Sequence, residues 1–195
     1  MKSQKLFSYI GLWLCVGQVV LTLSSWLLTA AWPENFSRSL LSAEGIRWFF
    51  GQFQYTLASP LLVWLLLGSM ASGMFVSSRI CHYNHQEYRH RFAMGVCGFI
   101  LCAFILIILA LTLLPHAILL NVLGGLFPSS FTQSIIPYVA FCVTVVCGSY
   151  GLTSGNIKGV VGLWNALRLG VVLGAPYLVL YVFAAQLYHS VLYLL

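Results

Sequence analysis

Phe99–Leu114 reads FILCAFILIILALTLL, sixteen residues with no charge, no glycine and no proline. A strand of a membrane barrel alternates apolar and polar side chains, and this run has no polar face to turn inward. Extended back to Phe92, it is long enough as a helix to cross the roughly 30 Å hydrocarbon layer. Only a helix satisfies all of its backbone hydrogen bonds from within. The same pattern recurs along the chain, with spans expected at about 6–32, 60–76, 92–114, 135–152 and 169–188. The expected architecture is therefore all-α: one polytopic membrane domain over 1–195 with about five transmembrane helices.

Composition agrees. Of 195 residues, 61% are hydrophobic and 6% charged, with a mean hydropathy of +0.95, a balance that excludes a soluble domain. Two further stretches are apolar but unsuited to crossing. Residues 40–57 carry Glu44 and Arg47 among Ile46, Trp48, Phe49, Phe50 and Phe53, which suits a helix lying in the interface. Residues 117–131 contain Asn121, Gly124, Gly125 and Pro128, which suits a short interfacial or re-entrant piece. The amino-terminal run is too long for a signal-peptide core and reads as a retained span.

Charge placement orients the chain. One set of alternate connections holds Lys2, Lys5, Arg79, Arg89, Arg91, Lys158 and Arg168; the other holds only Arg38 and Arg47. Positive residues stay inside, so the amino terminus is expected inside and the carboxyl terminus outside; the expected location, a bacterial cytoplasmic membrane, is a separate expectation that charge placement does not supply. The net charge of +6 belongs to this bias and favours anionic headgroups of the lipid bilayer. It forms no basic stripe on a soluble face, so no nucleic-acid partner is expected. Aspartate is absent, and Glu34, Glu44 and Glu87 all lie outside the spans. A carboxylate held at depth, the usual carrier of a coupling ion, is thus missing. Without a carboxylate pair or a nucleophile and base, an enzyme is not expected. Five of six cysteines fall in spans as small apolar packers.

Three constellations could carry chemistry. Cys81, His82, His85, Glu87 and His90 crowd one basic loop, but their spacing matches no metal motif, and neither a metal nor a cofactor is expected. CGSYGLTSGNIKG supplies Tyr150, Gly151, Gly155, Asn156 and Lys158. A break among these glycines would expose backbone groups able to hold a carboxylate, whereas a plain glycine-terminated helix end explains the same residues. His116 and His189 lie near span ends and suit interfacial anchoring.

SLLSAEGIR at Ser39–Arg47, GLFPSSFTQSIIPYVAFCVTVVCGSYGLTSGNIK at Gly125–Lys158 and Ala184-Ala185-Gln186 resemble, in that order, elements of the p-aminobenzoyl-glutamate transporter family, AbgT. The resemblance implies a membrane transporter for p-aminobenzoyl-glutamate or related aromatic carboxylates, working as an oligomer. For such a transporter the candidate substrate contact is the glycine break read above, Tyr150, Gly151, Gly155, Asn156 and Lys158. Ser72 stands where the family usually has an acid, and the family's first hairpin and everything beyond the Ala-Ala-Gln helix have no counterpart here. A reduced transporter, or a transport-inactive accessory or scaffold subunit of a membrane complex, are the two expectations. Small residues in the second span (Gly68, Ser69, Ala71, Ser72, Gly73) and fifth span (Gly170, Gly174) permit close helix approach, either within one chain or in a homo-oligomer.

Overall fold

A computed structural model describes residues 2–34, 38–82, 87–113 and 130–195. Among them the chain is all helix: α1 (Lys2–Ala31), α2 (Ala43–Leu57), α3 (Pro60–Ser78), a 3-10 turn (Ile80–His82), α4 (Tyr88–Leu113), α5 (Ser130–Ser154) and α6 (Gly159–Leu194). All but α2 are long and apolar enough to cross a membrane. The expected re-entrant piece at 117–131 lies, but for the first two residues of α5, outside the described residues. His116 does too.

Several helices outrun the expected spans. α6 begins at Gly159 rather than near 169, so Arg168 sits about two and a half turns inside a helix instead of in a connection. At 36 residues it is about 54 Å long, well beyond the roughly 30 Å hydrocarbon core. α5 likewise starts at Ser130, which leaves Pro137 inside it rather than at its start. Hydropathy marks the part of a helix that lipid tolerates, and backbone hydrogen bonding carries the helix past that boundary.

The chain divides into two compact units, residues 1–62 with 175–195, and residues 63–174. α6 contributes to both, dividing one residue before its internal Pro176. In the first unit α1 and the second half of α6 run parallel. Phe7 meets Tyr177 edge to face at 5.0 Å, Gly11 faces Leu180 and Gly17 faces Leu187, and Gln18 Nε2 donates to Ser190 Oγ at 2.8 Å. α2 is fastened at both ends. Ser42 caps its start, its Oγ accepting from Gly45 N–H at 3.1 Å, while Tyr181 donates to the Leu57 carbonyl at its end. Trp48 stacks on Tyr193 at 4.5 Å. The turn before α2 is tied to α1 through Leu40 N–H on Ser25 Oγ and Thr29 Oγ1 on the Arg38 carbonyl.

In the second unit α3 and the first half of α6 pack antiparallel on the small residues singled out above. Gly73 lies against Gly170, and Gly170 and Gly174 lie against Ser69. Here, then, the small faces serve contact within one chain. α4 and α5 are also antiparallel, with Cys97 Sγ on the Val146 carbonyl at 3.4 Å and Tyr138 donating to the Phe104 carbonyl at 2.5 Å. Two small buried clusters form the core, Met74, Cys147, Ile157 and Ala166 in one, Ala93, Cys97, Val146 and Tyr150 in the other.

Candidate functional site

The Tyr150–Lys158 segment closes one end of the second unit. α5 runs unbroken through Gly148, Tyr150 and Gly151 to Ser154, so the chain turns after the helix and not within it. Gly155 takes the left-handed conformation, φ +85°, that only glycine adopts without strain. Its N–H reaches the Leu152 carbonyl at 3.3 Å, and the Ile157 N–H reaches back to Gly151 at 2.8 Å. These two bonds serve carbonyls that the last turn of a helix would otherwise leave unpaired. The Arg89 guanidinium lies beside Gly155, a cation at the negative end of α5.

Gly151 is a seat rather than a contact surface. A side chain there would collide with Ile157, which folds back over Gly151 and Gly162 and is buried with Met74, Cys147 and Ala166. Asn156 reaches across to α3, donating from Nδ2 to the Ser78 carbonyl at 2.9 Å. That bond meets a definite need. α3 ends with Arg79 in a left-handed conformation at φ 53°, and Ser78 is fully buried, so its carbonyl has no water to turn to.

Tyr150 is 0% exposed. Its hydroxyl is 2.7 Å from His90 Nδ1, and His90 Nε2 lies 3.2 Å from Glu87 Oε2. The result is a short polar chain from an exposed carboxylate, through a largely buried imidazole, to a buried phenol. Glu87 also stands at the amino-terminal end of α4, where negative charge is favoured. Lys158 alone of the five selected residues keeps its charged group exposed, with no ion-pair partner among the described residues.

The structure thus keeps these five residues together in sequence and space and engages four of them in closing helix ends or filling the core. Of the loop cluster, His85 lies outside the described residues, and no group of three or more histidine, cysteine or acidic side chains able to hold a metal occurs among those described. All six cysteines are free thiols. His189 lines a recess of about 270 Å³ in the first unit with Trp48, Gln52, Tyr55, Thr56 and Tyr193.

Sequence reasoning passed over the polar pairs that link distant positions. Gln186 is 7% exposed, and among the described residues neither of its side-chain polar atoms has a partner; nor does Gln18 Oε1. Isolated amides in apolar helices were the available signal, since such groups are retained in membranes only at a cost. Compared with protein families, with curated proteins and with solved structures, the chain finds no match in any of the three.

Proposed function

We propose that this chain serves as a transport-inactive subunit, an accessory or scaffold element of a larger membrane assembly. The observation that carries the reading is the engagement of Tyr150, Gly151, Gly155 and Asn156. Tyr150 is buried against His90, Gly151 is covered by Ile157, and the Asn156 amide is committed to the Ser78 carbonyl. A substrate with several carboxylates needs compensating charge or free donors at depth. Here the donors already hold helix ends, and among the charged residues only Arg168 lies more than a turn or so inside a helix suited to spanning, the rest standing near helix starts, in α2 or in connections. Large apolar side chains such as Trp13, Phe99 and Val160 remain exposed on the helices, available to lipid or to another protein.

A second reading keeps an AbgT-like carrier for p-aminobenzoyl-glutamate or related aromatic carboxylates, assembled from several copies. It is favoured by the sequence resemblance and by the exposed Lys158 ammonium beside the glycine turn. One experiment separates the two: uptake and efflux of labelled p-aminobenzoyl-glutamate in proteoliposomes containing only the purified, helical chain. The accessory reading expects no saturable flux. Saturable flux that falls on Lys158→Ala would overturn it in favour of the carrier. Asn156→Ala adds a control, because the accessory reading expects it to lower stability by about 1 kcal/mol through loss of one hydrogen bond, whereas a substrate contact would lower flux with stability unchanged.

A further inference from the structure

The first unit carries two adjoining depressions on the surface made by α1, the turn at Leu40–Leu41 and α2. The first is a groove of about 310 Å³ walled by Val19 and Leu23 of α1, Leu40 and Leu41 of the turn, and Phe49 and Phe50 of α2. Its lining is almost wholly apolar. The second is shallower and lies along α2 itself, formed by Ala43, Ile46, Arg47, Phe50 and Gly51. Ile46 and Phe50 belong to both, so the apolar groove adjoins the depression that Arg47 helps to line.

Arg47 is exposed and has no hydrogen bond or ion pair among the described residues. Glu44, one turn earlier, lines neither depression. Ala43 is the first residue of α2 and lines the second depression with Arg47, so the amino-terminal end of that helix borders it. Gly51 has nothing within 4 Å of where a side chain would project, which leaves space beside the cation. An occupant must therefore be long and apolar at one end and anionic at the other.

We propose that this surface binds one glycerophospholipid, with an acyl chain in the groove and the phosphodiester against Arg47. α2 is amphipathic and is not one of the helices suited to spanning, so it lies where headgroups and the first methylenes meet. Phe50, 77% exposed, is the wall shared by the chain and the headgroup. The proposal is independent of whether the chain transports anything.

The test is native mass spectrometry of the intact chain released from detergent, with three probes: dioleoylphosphatidylglycerol, dioleoylglycerol, which has the same chains without phosphate, and glycerophosphate, which has the phosphate without chains. Wild type is expected to retain one phosphatidylglycerol and to hold dioleoylglycerol about five-fold more weakly, the factor matching one basic side chain at a lipid surface. Glycerophosphate should not be retained. Arg47→Gln should bring phosphatidylglycerol down to the level of dioleoylglycerol without altering the latter, and Leu41→Ser should weaken both. Arg38→Gln, which changes a cation over the Tyr193 ring outside the groove, should change neither. Equal retention of the two lipids by wild type, equal losses from Arg38→Gln and Arg47→Gln, or tight binding of glycerophosphate alone would each overturn the proposal. So would a two-chain species that excludes lipid and disappears with Leu41→Ser, which would assign the groove to a second copy.

Discussion

Replacing Gly73 with alanine tests the packing of α3 against α6 with a single methyl group. A Cβ at Gly73 would fall on the backbone nitrogen and Cα of Gly170 and on the carbonyl oxygen of Ala166. None of these atoms belongs to a side chain that can rotate away, so the helices must separate. A gap of about 0.5–1 Å forfeits a quarter to a half of each dispersion contact along the interface, and that interface includes Ser69, Gly170 and Gly174. Overpacking of this kind costs about 1–3 kcal/mol, and backbone-on-backbone contact puts Gly73→Ala at the upper end, about 3 kcal/mol. Gly68→Ala, five residues earlier on the same helix, is the control, since nothing lies within 4 Å of its Cβ position. It should be neutral, or gain up to about 1 kcal/mol from helix propensity. Reversible unfolding in mixed micelles, followed by far-ultraviolet circular dichroism, reads both. Equal midpoints for the two variants would refute the close approach of α3 and α6.

Three further substitutions probe the polar contacts. Ser42→Ala removes the cap at the start of α2 and should cost about 1 kcal/mol, seen as a lower midpoint in the same titration; an unchanged midpoint would mean that α2 is held without its cap. Tyr150→Phe keeps the buried ring and deletes the hydroxyl facing His90, and should cost about 0.5–1.5 kcal/mol. A double-mutant cycle with His90→Ala should then recover most of that amount as coupling, and strictly additive losses would argue against the contact. Gln186→Leu replaces a buried amide that has no partner among the described residues by an apolar side chain of similar size. It should raise stability by about 1–2 kcal/mol; a loss of more than 1 kcal/mol would show that the amide is satisfied by a bound water or another molecule.

Much of the secondary structure was legible from hydropathy. The Phe99–Leu113 part of the decisive run fell within α4, residues 43–57 of the stretch expected not to span formed the one α-helix unsuited to spanning, and Ser69 and Gly73 of α3 met Gly170 and Gly174 of α6. The candidate site was legible as a location and not as a role. From sequence Tyr150, Gly151, Gly155 and Asn156 could be groups free to meet a substrate or a plain glycine-terminated helix end, and α5 ends at Ser154 with Gly155 turning after it. Whether each is free depends on partners elsewhere in the chain, His90, Ile157 and Ser78, and the Asn156–Ser78 bond spans 78 positions. Local pattern carries no record of such a pairing.

By itself the sequence determined that the chain is built of apolar helices, because in hydrocarbon each backbone amide must be satisfied within its own segment, and that requirement depends on local composition. It also marked the end of α5, where Gly155 makes the turn. Tertiary structure alone decided which helix meets which and in what direction. It placed Gly73 on Gly170, ran α1 parallel to the end of α6, and spent the Asn156 amide on the carbonyl that α3 leaves open. Those choices come from close packing and from the cost of burying an unpaired polar group, both of which join residues far apart in the chain.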